Sequence, residues 1–206
     1  MKVLLINGSP RREGCTYTAL KEVAGALEAQ GIDTEIFHIG TDPVRGCTAC
    51  GGCFKAGKCV FDDDICNELA AKCAEADGIV VGSPVYFAGP NGALLALLDR
   101  LFYSQSRKLW HKPAAAVVSC RRGGASAAFD RLNKYFTINR MPVVSSQYWN
   151  AVHGRTPEEV RKDREGLQIM RTLGNNMAWL LKSIRDGKAP LPTVEPPQFT
   201  NFADGK

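Results

Sequence analysis

Residues 46–59 read GCTACGGCFKAGKC and set Cys47, Cys50, Cys53 and Cys59 at the spacing C-x2-C-x2-C-x5-C. Thiolates are soft ligands, and a glycine-rich loop can aim several sulfurs at one metal centre. A tetrahedral set of four also suits zinc. Cys50 and Cys53 form a C-x-x-C pair, the spacing of a redox dithiol. A disulfide staple or a turn that merely holds small residues are the other readings. The chain has eight cysteines in 206 residues, and a chain of that length buries a core without staples. Crosslinks are therefore not needed. Cys66 and Cys73 fall on the apolar stripe of a helix, where free cysteine packs as a small hydrophobe. Cys120 ends a strand, within reach of a ligand held there.

Three further segments carry residues that could hold an anionic, flat ligand. GSPRREGCT (8–16) follows an apolar run and opens a helix. It offers Ser9, Arg11, Gly14, Cys15 and Thr16, together with the free N–H groups of a helix start, which makes a phosphate cradle. It matches neither G-x-G-x-x-G nor G-x-x-x-x-G-K-[ST], which disfavours a dinucleotide fingerprint or an NTPase. The bland reading is an ordinary turn with a surface arginine pair. SPVYFAGPNG (83–92) brings Pro84, Val85, Tyr86 and Phe87 before a Gly-Pro-Asn-Gly turn. Two aromatics there suit a flat apolar ring, or else pack in the core. SCRRGG (119–124) brings Ser119, Arg121, Arg122, Gly123 and Gly124. The glycines let backbone approach a ligand. The arginines can pair with an anionic ring edge, a phosphate or a nicotinamide cofactor, or stay solvated. Cradle, aromatic wall and glycine-rich loop together describe an FMN site.

These segments need elements to position them. KVLLIN (2–7), DTEIFH (33–38), GIVVG (78–82), KPAAAVVS (112–119) and PVVSS (142–146) read as strands. Leu20, Val23, Ala24 and Leu27 recur at helical spacing, closed by Gly31. So do Cys66, Leu69, Ala70 and Cys73 after the capping run Asp62–Asp64. Leu94, Leu95, Leu98, Leu101 and Phe102 line the next helix, and another spans about 125–137. Thr156-Pro157-Glu158-Glu159 is a capping box with proline at the first helical position. Met170, Leu173, Met177, Leu180, Leu181 and Ile184 give the helix that follows one apolar face. The tail from Pro190, rich in proline, is extended and suited to lying on a neighbouring surface. Strands alternating with helices predict a flavodoxin-like, doubly wound five-stranded parallel sheet, order 2-1-3-4-5, as a single domain over 1–206. The cysteine-rich loop 46–60 is inserted after strand 2, and a C-terminal helix and tail occupy 156–206. In such a sheet ligands sit at the carboxyl ends of the strands, so the loops after strands 1, 3 and 4 carry the chemistry.

Composition narrows the rest. Hydrophobic residues make up 45% and charged residues 23%, with a net charge of +5, the profile of a soluble globular protein. The basic residues are scattered, so nucleic-acid binding is disfavoured and an anionic small molecule fits better. The first ten residues are too short in apolar run for a signal peptide. No stretch reaches the roughly 20 apolar residues of a membrane span. A cytoplasmic location follows, where clustered cysteines more often bind metal or do redox work. His38, His111 and His153 are unclustered, with no Ser-His-Asp or H-E-x-x-H pattern. Trp149, Asn150, His153 and Gly154 could cap a flavin or substrate, with packing the alternative for Trp149.

GSPRREGCT after the first strand, SPVYFAGPNGALLALLDR after the third and the cysteine array between them resemble the NAD(P)H-dependent FMN reductase and iron–sulfur flavoprotein families over roughly residues 1–150. The resemblance implies FMN held by Ser9, Arg11, Cys15, Thr16, Pro84, Val85, Tyr86 and Phe87, with loop 119–124 near the isoalloxazine. Cys15 stands where such loops often carry a small polar residue. Its N–H can serve a phosphate, but a thiol is a weak partner. The cysteine spacing is similar to that of iron–sulfur flavoproteins, where four thiolates hold a [4Fe–4S] cluster. Zinc, a dithiol and no metal remain the alternatives. The reading is an FMN-dependent oxidoreductase taking hydride from NAD(P)H and reducing a quinone, nitro or azo compound, flavin or similar acceptor. The second is an iron–sulfur electron carrier with a ferredoxin-like partner, and the third a non-enzymatic metal- or partner-binding module. The resemblance also implies a homodimer or homotetramer, for which the last helix and tail offer apolar surface.

Overall fold

The computed structural model describes residues 1–198. Among them the strands are β1 (Lys2–Asn7), β2 (Asp33–His38), β3 (Gly78–Tyr86), β4 (Gly89–Pro90), β5 (Ala114–Cys120) and β6 (Ala151–His153). The helices are α1 (Cys15–Ala29), α2 (Gly52–Ala56), α3 (Cys66–Glu75), α4 (Gly92–Leu109), α5 (Ala125–Ile138), α6 (Pro157–Val160) and α7 (Arg164–Asp186). The sheet runs β2-β1-β3-β5-β6, all parallel, with β4 folded back antiparallel on β3. Counted over the five parallel strands this is the order 2-1-3-4-5, a flavodoxin-like doubly wound sheet.

A sheet covered on both faces needs apolar residues at both parities of its strands. β1 shows it: Leu4 and Ile6 join Ile79, Val81, Ala116 and Val118 under α3, α4 and α5. Val3 and Leu5 join Val80, Ala115, Val117 and Val152 under α1 and α7. The expected stripes are buried in α1 (Leu20, Val23, Ala24, Leu27) and α3 (Cys66, Leu69, Ala70, Cys73). Where α7 crosses α1, a Cβ on Gly174 would lie 2.7 Å from the Ala26 Cβ and 2.8 Å from the Val23 carbonyl oxygen. Glycine is what lets the two helices approach.

Four expectations need correction. PVVSS is not a strand: it makes one bridge, Ala114 to Val143, and leaves the sheet. Pro142 has no N–H to give, and the buried Asn150 brings the chain back by donating to the Ala116 carbonyl at 3.1 Å. The fifth strand is β6, paired with Val118–Cys120. β3 does not stop at Gly82; it runs through Ser-Pro-Val-Tyr to Tyr86 and turns at Phe87-Ala88, ahead of the expected Gly-Pro-Asn-Gly turn. The helix opened by Thr156 lasts only to Val160. Its N-cap forms, with Glu159 N–H donating to Thr156 Oγ1 at 3.3 Å, but Glu159 Oε2 accepts from Arg155 N–H rather than from the cap. Asp163 then starts α7 by accepting from Gly166 N–H at 2.9 Å. Finally, Ile184 is exposed, off the buried face of α7. Residues 190–198 are exposed and without regular structure, and Val194, Pro196 and Pro197 border a surface pocket with Trp110 and Arg140. The remainder of the expected tail, 199–206, lies outside the described residues. No helix among the described residues is long and apolar enough to cross a membrane.

Candidate functional site

The loop after β1 is shaped by its own short side chains. Asn7, buried at the strand end, donates from Nδ2 to the Arg12 carbonyl at 2.9 Å and accepts from Ser9 N–H at 3.2 Å. Ser9 Oγ accepts from Arg11 N–H at 3.1 Å, and Gly14 N–H donates to the Arg11 carbonyl at 3.3 Å. His38, at the end of β2, accepts from Gly40 N–H at Nδ1, so its Nε2 carries the proton and donates to the Ser9 carbonyl at 2.8 Å. α1 then starts behind Gly14 with no side-chain cap. The first-turn N–H groups of Cys15, Thr16 and Tyr17 have no intrahelical acceptor, the arrangement that binds phosphate. The Cys15 thiol is turned away, toward the Gly154 carbonyl at 3.7 Å, and burial raises its pKa.

The other two loops are tied to this one. Asn91 Nδ2 donates to the Gly8 carbonyl at 2.8 Å, its Oδ1 caps α4 by accepting from Ala93 N–H at 3.1 Å, and its N–H donates to Ser83 Oγ at 3.0 Å. A Cβ on Gly8 would lie 2.7 Å from the Gly82 carbonyl oxygen. Thr16 and Ser119, both buried, bond each other through their hydroxyls at 2.9 Å, joining loops one and three. Gly124, at φ 84°, sits where a Cβ would be 2.8 Å from Ala88 Cα, joining loops two and three. Between them the β3–β4 hairpin turns on Phe87 (φ 49°) and Ala88 (φ 60°). Two consecutive positive φ values define a type I′ turn, normally built from Asn-Gly. The Phe87 ring is wholly exposed and Tyr86 is 46% exposed, so neither belongs to the core. Pro84 and Val85 lie half-buried beneath them.

Arg11, Arg12, Arg121 and Arg122 are exposed and make no ion pair among the described residues. Gly123 lies beside them. Beyond loop three, a cavity of about 370 Å³ is bordered by Arg122, Gly123, Phe129, Trp149, His153 and Asp163. Trp149 is 56% exposed and its ring lies tilted against that of Tyr148, 5.1 Å away. Cys120 is buried, and burial raises its pKa.

Cys47, Cys50, Cys53 and Cys59 line one small pocket of about 20 Å³, walled by Val60, Phe61, Arg100 and Tyr103. Ala49 (φ 52°), Gly51 (φ 71°) and Gly57 (φ 67°) bend the backbone around the short helix α2. Burial raises the Cys53 thiol pKa, and the neighbouring Cys50, Cys47 and Cys59 add to the rise. Cys66 is pushed up to about 12, chiefly by burial, and Cys73 likewise to about 12. Those two are core residues. Arg100, 2% exposed, reaches into the loop from α4. It pairs with Asp64 and donates from Nε to Cys59 Sγ at 3.2 Å. Burial opposes its charge, but hydrogen bonds to Asp64 and Cys59 outweigh that and hold its pKa above the ordinary value. Among the described residues no group of three or more His, Cys, Asp or Glu is arranged to hold a metal ion.

The expected site residues thus lie at the carboxyl ends of β3 and β5, in the loops after β1, β3 and β5, in the first turn of α1, or on the cysteine loop. Four residues that the sequence reading did not single out complete them. Asn7, His38 and Asn91 brace the first loop, and Arg100 braces the last. Only Asn7 was legible, as an Asx side chain two residues before Ser9.

A family model described as NADPH-dependent FMN reductase matches residues 1–156. An iron–sulfur flavoprotein of Methanocaldococcus jannaschii is 34% identical over 195 residues, covering 90% of this chain and 100% of that protein. An iron–sulfur flavoprotein of Methanosarcina thermophila is 31% identical over 196 residues, covering 91% of this chain and 99% of that one. Among solved structures, RosB with bound 8-demethyl-8-formylriboflavin-5'-phosphate superposes with a TM-score of 0.74 at 19% identity, over 92% of this chain and 82% of that one. The matched span holds β1 through β6, all three strand-end loops and the cysteine loop, and on that basis the chain belongs to the NADPH-dependent FMN reductase family.

Proposed function

We propose that this protein is an FMN oxidoreductase whose cysteine loop holds a [4Fe–4S] cluster, moving electrons between a ferredoxin-like partner and an acceptor. The observation that carries the reading is the single pocket onto which Cys47, Cys50, Cys53 and Cys59 open. The donor set fits the group: four thiols, apolar walls, and a buried cation already bonded to one sulfur. α4 links the two halves of the site, starting at Gly92 behind its cap Asn91 in the second loop and reaching Arg100 about 12 Å further on, at 1.5 Å per residue.

Bound cluster would supply one-electron exchange, and bound FMN would collect single electrons and pass them on singly or in pairs. The chain supplies the rest. The N–H groups at the start of α1, with Ser9 and Arg11, hold the phosphate. Pro84, Val85, Tyr86 and Phe87 wall one side of the ring. Gly123 and Gly124 let backbone reach its edge, and Arg121 or Arg122 balances negative charge there. No side chain has to act as nucleophile.

A second reading, direct reduction by NAD(P)H with a quinone, nitro or azo compound or flavin as acceptor, draws on the cavity beside loop three. Arg122 and the Trp149 face there suit a phosphate and a flat heterocycle. One experiment separates the two: anaerobic purification, a UV–visible spectrum, and iron, sulfide and zinc assays on the same sample. Flavin bands with about four irons and four sulfides per chain support the cluster protein. Flavin without iron overturns it in favour of the nicotinamide-dependent reductase, and a metal-binding chain without flavin overturns both.

A further inference from the structure

Arg100 is the bulkiest of the fully buried side chains among the described residues, and it is charged. A lone guanidinium inside a core is strongly unfavourable unless its donors are matched. Here they are matched, and every partner belongs to the cysteine insertion or its border. Nη1 pairs with Asp64 and donates to the Arg45 carbonyl at 3.2 Å. Nη2 donates to the Phe61 carbonyl at 3.0 Å, and Nε to Cys59 Sγ at 3.2 Å. Asp64 in turn accepts from Arg45 N–H at 3.1 Å. The chain enters the loop at Arg45 and leaves it at Phe61, so one side chain grips both ends and one sulfur. Asn67 holds the same cysteine from the other side, donating to its carbonyl at 3.0 Å. One turn further along α4, Gln105 Nε2 donates to the Gly57 carbonyl at 2.7 Å.

We propose that Arg100 is the positioning residue of the four-cysteine loop, clamping its two ends and placing a fixed positive charge and an N–H donor on Cys59. Its consequence for the bound group rests on the cluster reading above. Positive charge and N–H···S bonds favour the electron-rich reduced state. Arg100 therefore sets the reduction potential of that group higher than the loop alone would. A guanidinium is required for the clamp, because its planar fork serves four acceptors in fixed directions, which an ammonium cannot do.

The test compares the full-length protein with Arg100→Lys and with the double variant Arg100→Gln/Asp64→Asn, which leaves no unpaired buried charge. Two readouts are taken. The first is the midpoint potential of the iron-loaded proteins by anaerobic spectroelectrochemistry. The second is amide hydrogen exchange of residues 45–61 in metal-free protein. The double variant is expected to favour the oxidised form at least tenfold more, about 59 mV for a one-electron couple, with Arg100→Lys between it and the parent. Loop exchange is expected to quicken at least tenfold in both variants while α1 stays unchanged. A shift of less than twofold in the oxidised-to-reduced equilibrium, about 18 mV, in fully loaded variants overturns the electrostatic role. Unchanged loop exchange overturns the clamp. If the parent protein itself takes up no iron and sulfide, the cluster reading fails, and the exchange measurement alone still decides the clamp.

Discussion

Phe87 and Ala88 occupy left-handed backbone that asparagine and glycine would adopt at lower cost. Each non-glycine residue there costs about 1–2 kcal/mol, and the Phe87 ring recovers nothing by burial. Strain of this kind persists where surrounding structure and use demand it. Replacing Phe87-Ala88 by Asn-Gly is therefore expected to stabilise the apo fold by about 1–2 kcal/mol and to raise Tm by several degrees in calorimetry. The same change should weaken FMN retention in a fluorescence titration, because the exposed ring is lost. Tighter FMN binding by the Asn-Gly variant would mean the aromatic tip does not face the flavin. Cys59 and Cys66 offer a second comparison at this scale. Cys59→Ser removes a pocket thiol and should abolish stoichiometric iron. Cys66→Ser alters only the core and should keep iron at parental levels, as read by metal analysis of anaerobically purified protein.

At the scale of elements, the α1–α7 contact shows which of two opposing effects wins. Alanine is the better helix former than glycine by about 1 kcal/mol, so Gly174→Ala is favourable on propensity alone. Yet the new Cβ would stand 2.8 Å from the Val23 carbonyl oxygen, a backbone atom that cannot step aside. Overpacking costs about 1–3 kcal/mol. The expected result is a net loss of up to about 2 kcal/mol in urea unfolding, with flavin binding retained if the protein stays folded. Asn91 is the element-scale hinge of the site itself. Its side chain caps α4 and reaches the Gly8 carbonyl, and its N–H ties the helix start to Ser83 within β3, so helix start and phosphate loop share one side chain.

For the whole molecule, the carboxylates that bind distant segments govern its response to acid. Asp64 is held below the usual carboxylate range: burial opposes this, but bonds from Arg100 and from the Cys66 and Arg45 N–H groups prevail. Glu35, bonded to Lys2 and Lys72, is also lowered, and so links β1, β2 and α3. A carboxylate whose folded pKa is depressed contributes stability above its unfolded pKa, about 3.9–4.3. That contribution is lost as pH falls through the folded value. The urea midpoint should hold steady from pH 7 to 5 and drop below pH 4. Asp64→Asn should be less stable at pH 7 by about 3–5 kcal/mol, since it strands a buried guanidinium, and should show a shallower acid slope. A parallel slope would mean that Asp64 is not the titrating group.

Much of this was legible along the chain because it depends on near neighbours. The doubly wound order, the buried stripes of α1 and α3 and the three strand-end loops all follow from periodicity and turn residues, which act over a few positions. Cys66 and Cys73 could be assigned to the core from helical spacing, and the pocket cysteines from their own. What failed was decided by partners far away in sequence. PVVSS has strand propensity, but the place beside β5 goes to Ala151–His153, drawn there by Asn150 bonding Ala116. Phe87 has a core residue's composition, but β3 runs on past Gly82 because β5 offers it a partner as far as Ser119. Arg100 sits in an apolar helix stripe, where an arginine reads as a surface residue. Only the fold brings Asp64, Arg45, Phe61 and Cys59 around it, and a buried charge is tolerated only when such partners converge. Local chemistry was in the sequence; which side chains meet was settled by long-range packing.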